Sequence, residues 1–445
     1  MDQIKCGAAK VKITPPAELL AGLYGLMGSH YSAVIDDLHV RVLAVSAGNS
    51  ASLFVSWELD KAPNPETLVP ELSKRTGVPE DNILFFGVHT HTAPVHSARP
   101  YDGPNAKAKQ TPERQAATNK YEEILAGALF EAADKAMSSL QPARIGWGLG
   151  ESYVGENRVQ DYYVKQKDGG VKKTVNIGSN PKGNCDRTLF VLKAESLDGK
   201  PIAFFVNHAV HCCIMILNNY DGNMGVGISA DLAGQVSSLI EEKYPGSVAL
   251  WSSAAAGDVN PIMMNQYNYA DPITGEHREY KKYKSADPAK LMLFTLSRRQ
   301  FAEAESVIRD IKCETTQADV KGGTEFASVP ANDGTGNPSS DEVYQVRLRA
   351  VKIGDVEFCG ASGELFTSLG AQIKKAGTAA YTVVINHECS LLVNSGYILD
   401  DDALERTLQP DGSHDGLPGT RNYKLLPGYI GPALYDAAGR LFARL

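Results

Sequence analysis

What most constrains the fold is a series of short apolar runs, each too short for a typical helix and bounded by polar or turn-forming residues. SLFVSWEL (52–59), NILFFGV (82–88), TLFVLKAE (188–195), IAFFVNHAV (202–210), SVALWSS (247–253) and VYQVRLRAVKI (343–353) read as buried or half-buried strands. Between some of them the apolar period lengthens. In 120–137, Tyr121, Ile124, Leu125, Ala128, Leu129, Ala132 and Ala136 recur at the spacing of one helix face. In 228–244, Ser229 is placed to cap a helix whose Leu232, Val236, Leu239 and Ile240 face a core. Strands alternating with helices predict an α/β fold, a layered α/β/α domain with a mixed sheet, rather than a sandwich or a bundle. The sequence contains no legible internal repeat, so a single catalytic domain over 1–445 is expected. Its one irregular stretch is a polar, Tyr-rich insertion loop at about 263–290, read either as a surface excursion or as a lid over a site.

Composition removes several function classes. A formal net charge of −8 argues against nucleic acid as partner, because phosphate binding needs clustered Lys and Arg. The basic knots KRTGVPE and REYKKYK sit among Glu, Pro and Tyr and read as solvated surface. No stretch of eighteen apolar residues occurs and the first residues lack an apolar signal core, so no stable membrane association is expected. The seven cysteines show no CxxC spacing, which suits a reduced, cytoplasmic protein; a secreted or periplasmic one is the alternative if Met1 replaced a removed signal. Composition leaves the oligomeric state open, a homo-oligomer included.

Chemistry concentrates where the strands end. FFGVHTHTAPVHS (85–97) runs from an apolar strand into His89, His91 and His96. Alternate residues of a strand share a face, so His89 and His91 project together, as metal ligands or as hydrogen-bonded packing groups. His96, beyond Pro94, is expected only at the rim. VNHAVHCC (206–213) repeats the pattern with His208 and His211; these have opposite parity, and His211, nearer the loop, is the better candidate ligand, with Cys212 and Cys213 as packing. A third strand end delivers Glu364 ahead of a helical pattern, and a fourth forms the Gly-Asp-Val-Asn-Pro turn with Asp258 and Asn260. Two His, one Glu and an open position make a catalytic zinc site of known type.

The order of these motifs resembles the catalytic domain of the neutral/alkaline non-lysosomal ceramidase family. GAAKVKITPP, IDDLHVRVLAV, VHTHTAP, NHAVHCC followed by ISADLAGQ, AAAGDVNP, SGELFTSLG, NSGYILDDDALE and YIGPALYDAAGRLFARL are each similar to family segments, in the same order, from about residue 5 to 445. The resemblance implies an α/β fold with one Zn2+ held by His89, His211, Glu364 and Tyr397. It further implies that His91 contacts the reacting group and that Arg158, in GENRVQ, contacts substrate.

Two departures qualify what the resemblance implies. The family's NxYxGY pattern appears here as NSGY with one tyrosine, so Tyr397 matches either the ligand tyrosine or the second one, the latter leaving the fourth position to water or another group, and Asn260 stands where ceramidases carry a serine. An amide cannot be a serine-type nucleophile, but it can donate a hydrogen bond to an oxyanion. The sequence also stops at the family's closing helix, ahead of an immunoglobulin-like C-terminal domain, which turns the expectation from a lipid to a polar small-molecule substrate. The expected activity is therefore that of a zinc-dependent hydrolase, an amidohydrolase cleaving a soluble N-acyl or cyclic amide by metal-activated water, with His91, Arg158 and Asn260 as catalytic groups. The alternatives are a zinc enzyme acting on an ester, lactone or carbohydrate, and a non-catalytic metal-containing binding protein.

Overall fold

The computed structural model describes residues 1–26, 30–96, 111–165, 169–217, 226–264, 286–393, 396–409, 412–414, 416–417 and 424–445. Its framework is three sets of four strands. The first is Asp2–Lys12, His39–Ala47, Ser50–Trp57 and Ile83–Gly87. The second is Gln141–Glu151, Thr188–Ser196, Pro201–His208 and Val248–Ser253. The third is Val320–Asn332, Pro338–Ile353, Val356–Ala361 and Tyr381–Ile385. The first two sets join into one mixed sheet through only the pairs Lys5 with Pro142 and Cys6 with Gln141, while the third set is a sheet of its own.

Each set has the same topology. Its first three strands pair antiparallel in chain order, a helix follows, and the fourth strand returns parallel to the third. The crossover helices are Pro65–Thr76, Asp231–Lys243 and Thr367–Ala376. A second helix after each set, Pro112–Ser138, Asp287–Asp310 and Ile430–Phe442, packs against that set's own first strand. The architecture is thus repeated three times, where the sequence shows no repeat. Identity is kept at only scattered equivalent positions, such as Phe54, Phe205 and Phe358, too few for the self-similarity to be read from the letters.

Both parities of a strand are apolar here, because both faces are covered. In Ser50–Trp57, Leu53, Val55 and Trp57 pack toward the helices, whereas Phe54 points into a core built from all three sets. The α/β class, the mixed sheet and the strand-end position of the motifs agree with expectation. Within these layers each set carries helices on one face and turns the other toward the other two sets.

The centre of that common core is an aromatic triangle. Phe54, Phe205 and Phe358 each stand three residues before the end of the third strand of their set. Their rings meet edge to face at centroid distances of 5.6, 4.9 and 5.5 Å, a geometry that adds to the area each ring buries. Nearer the strand ends, backbone closes in. A Cβ on Gly360 would lie 2.5 Å from Glu388 Cγ and 3.4 Å from Leu84 Cδ2. Gly360→Ala is therefore expected to lower stability by about 1–3 kcal/mol in urea titration; an unchanged midpoint would contradict this close approach.

The helices expected at 120–137 and 228–244 are found as Pro112–Ser138 and Asp231–Lys243. The first begins earlier because Thr111 Oγ1 accepts from the Arg114 N–H and Pro112 fits the first turn. Of the loop expected at 263–290, residues 265–285 lie outside the described residues. Its last residues are helical, since Asp287–Asp310 opens with Pro288 in a helix-starting position. Among the described residues no helix is long and apolar enough to cross a membrane.

Candidate metal centre

The three sets bring their strand ends to one place. Asp60, His211 and Glu364 each stand three residues beyond the end of the third strand, which closes at Trp57, His208 and Ala361. His89 and His387 each stand two residues beyond the fourth strand, which closes at Gly87 and Ile385. Both of these histidines are left-handed, with φ of 67° and 60°. Each donates its backbone N–H to a carbonyl two residues past the third strand of its own set, Leu59 at 3.0 Å and Gly363 at 3.0 Å.

His89 and His211 are oriented alike. His89 Nδ1 faces the backbone carbonyl of Asp60 at 3.2 Å and its carboxylate Oδ1 at 2.9 Å. His211 Nδ1 lies 3.0 Å from the Val259 carbonyl. A carbonyl can only accept, so each Nδ1 carries the proton and each Nε2 turns its lone pair to the centre, the tautomer a metal requires. There His89 Nε2 and His211 Nε2 both lie 3.5 Å from Glu364 Oε2, and His211 Nε2 lies 3.4 Å from Tyr397 Oη. Zinc bonds of about 2.0–2.1 Å in a tetrahedron place ligand atoms about 3.4 Å apart. Glu364 Oε2 is buried and accepts no hydrogen bond. The donor set therefore fits a zinc ion held by His89, His211, Glu364 and Tyr397.

Charge is unevenly distributed over these groups. Burial opposes ionisation of Glu364, but His89 and His211 hold its carboxyl well below the usual range. Burial likewise opposes protonation of His89, yet Glu364 and Asp60 raise it to about 9. Burial and Arg158 push His211 down to about 4, while burial and His89 push His91 and His387 well below the ordinary histidine value. A carboxylate kept ionised among buried imidazoles is a cation-binding arrangement.

The other sequence candidates divide. His91 stands edge-on to His89, with Nε2 atoms 3.0 Å apart, and its backbone N–H bonds the Cys212 carbonyl at 3.1 Å, tying the HTH segment to the His211 strand end. It is less buried than His89, His211 and His387. Arg158 braces the adjacent turn: it donates to the Gly257 carbonyl at 3.2 and 2.7 Å and to Asn260 Oδ1 at 3.0 Å, and lies 5.2 Å over the Tyr397 ring. Since the Asn260 oxygen is engaged, its N–H2 is the end left to act as donor. Asp258 accepts from the Thr367 N–H and hydroxyl, both at 2.8 Å, and from Asn157 at 3.0 Å, the bonding of a turn brace. His208 faces the Thr188 carbonyl at 3.0 Å, away from these groups. His96 is not at the rim: it is buried, with Nε2 2.9 Å from the Lys61 carbonyl, because Val95 pairs with Tyr24 and turns the chain inward after Pro94.

Solved structures share this architecture over the whole chain. The neutral ceramidase from Pseudomonas aeruginosa superposes with a TM-score of 0.68, covering 100% of this chain and 75% of that one at 16% identity. A ceramidase complexed with C2 gives 0.69 over 100% and 76% at 15% identity. The fold is that of the neutral ceramidases. Among curated relatives, neutral ceramidase A of Dictyostelium discoideum is 24% identical over 255 residues, 55% of this chain and 32% of that protein. Neutral ceramidase B of the same organism is 28% identical over 191 residues, 41% and 24% respectively. The matches thus span only about a third and a quarter of the length of those relatives. No protein-family model matches the chain.

Two residues of this cluster escape sequence reasoning, Asp60 and His387. For His387 a signal existed: VVINH (383–387) leaves an apolar strand through Asn-His as FFVNH (204–208) does. For Asp60 the signal is only its distance from a strand end, which becomes meaningful once the three sets are seen to be equivalent.

Proposed function

We propose that this chain is a zinc-dependent hydrolase, an amidohydrolase that cleaves the C–N bond of a soluble N-acyl or cyclic amide. The observation that carries the reading is the convergence of His89 Nε2, His211 Nε2 and Tyr397 Oη, with the unbonded Glu364 Oε2, at 3.4–3.5 Å spacings. The names of the relatives, neutral ceramidases, support the bond class. When bound, a zinc ion supplies Lewis acidity at a carbonyl oxygen and makes water acidic enough to ionise near neutral pH.

The chain's own groups have separable roles in this proposal. His91, next to His89 and the less buried ring, takes the proton from water and returns it to the leaving nitrogen. Asn260 donates from its N–H2 to the developing oxyanion. Arg158 acts through others, holding Asn260 and the face of Tyr397. A polar small molecule is the proposed substrate, and the seven free thiols support a cytoplasmic location. Asn260 in the serine position favours one second reading, the same centre turned to an ester, lactone or carbohydrate.

Metal analysis of the purified protein is expected to give one zinc per chain, lost on chelation and restored with zinc. Screening N-acyl amides, cyclic amides, esters, lactones and glycosides should then release amine from the amide class. Substoichiometric zinc after reconstitution sinks the centre; acid or reducing sugar released without amine selects the second reading.

A further inference from the structure

His89 is held on more sides than a ligand needs. Its Nδ1 edge meets the Asp60 carbonyl at 3.2 Å and the Asp60 carboxylate at 2.9 Å. One of its faces is covered by the His387 ring, stacked at 4.0 Å and 11°. Its Nε2 edge faces Glu364. Both His387 and Glu364 bring a ligand-capable atom within 4.8 Å of one on His89, which by distance alone would make His387 a further ligand. Ring geometry argues otherwise. An imidazole nitrogen binds an ion in the plane of its ring, and two rings stacked nearly parallel do not aim in-plane lone pairs at one ion.

The fold adds a second argument. His387 occupies in the third set the position His89 occupies in the first, with the same left-handed backbone and the same N–H partner. Asp60 occupies the position of His211 and Glu364 but reaches His89 instead of the centre. A non-glycine residue in this conformation persists where its surroundings over-determine it. Here two equivalent strand ends converge on one ring.

We propose that Asp60 and His387 are positioning residues that clamp the His89 imidazole by its edge and its face, aiming Nε2 at the centre before an ion arrives. The proposal rests on the reading of His89 as a ligand. The ring's rotors are then already frozen, so less affinity is lost on binding.

The test is zinc affinity by chelator competition, with the visible spectrum of the Co2+-substituted protein as a second readout. Asp60→Ala, which leaves the backbone carbonyl, is expected to weaken zinc binding about 10–100-fold, with Asp60→Asn between it and wild type. His387→Ala should weaken binding roughly tenfold. His387→Phe keeps a flat ring on His89 and should stay within about threefold of wild type, with unchanged Co2+ bands because no ligand atom is lost. If His387→Phe loses affinity and shifts the Co2+ bands as His387→Ala does, the nitrogen is a ligand and the clamp is wrong. Unchanged affinity in both alanine variants, while His211→Ala loses the ion, overturns the clamp alone. Wild-type protein that takes up no zinc overturns the reading of the centre and the clamp with it.

Discussion

His211→Ala is expected to remain folded, to bind no zinc and to lose turnover by more than about 100-fold, since even residues that only orient a metal ligand cost 10–100-fold when removed. His211 is the contribution of the second set to the centre, and its Nε2 spans both Glu364 at 3.5 Å and Tyr397 at 3.4 Å. Folding should survive because burial and Arg158 hold this imidazole down to about 4, so it is neutral at neutral pH and its removal deletes no charge. What is lost locally is the hydrogen bonding to the Val259 carbonyl and Tyr397 Oη and a ring's worth of packing. Zinc content and circular dichroism measured together decide the matter. A folded His211→Ala protein that still carries one zinc would remove this histidine from the centre.

The second large effect expected is on stability. Glu388, next to His387 and fully buried, pairs with two buried arginines: Oε2 with Arg347 Nη2 at 2.9 Å and Oε1 with Arg349 Nη1 at 3.4 Å. Arg347 also donates to the Cys389 carbonyl. Glu388→Ala leaves Arg349 in a low-dielectric interior without its anion and Arg347 with only Glu66 at 3.8 Å, which costs about 3–5 kcal/mol. The pair need not be stabilising in itself, since its desolvation offsets its attraction. Replacing Glu388, Arg347 and Arg349 together by apolar residues of similar volume should therefore recover most of the loss. Urea midpoints at constant slope measure it. A loss below about 1 kcal/mol for the single variant would mean that water or another group reaches the arginines.

Much of this centre was legible in the sequence because strand ends announce themselves. An apolar run that stops at a histidine or glutamate locates the side chain, and HTH, NHAVH and SGEL did so for His89, His211 and Glu364. The convergence of those ends was not legible, because it depends on three sets of strands sharing one core through Phe54, Phe205 and Phe358, and identical aromatic burial occurs in many cores. What covers each face was not legible for a related reason: a strand apolar on both faces says that both are covered, not by what. His96 was misplaced since its inward turn is set by the distant partner Tyr24. Arg158, a substrate contact by the resemblance, is engaged in the folded chain on Gly257, Asn260 and Tyr397, partners that no sequence pattern announces.

The threefold arrangement also changes what a local lesion means. No single set carries a complete donor group: the first offers His89, the second His211, the third Glu364 and, just after it, Tyr397. Under the proposed zinc reading, ion capture would report on quaternary-like agreement within one chain, completed only when all thirds dock in register around the aromatic triangle. A substitution far from the centre that loosens one third against the others would act on affinity before it acts on secondary structure, and bound zinc would serve as the most sensitive gauge of how well the chain has assembled.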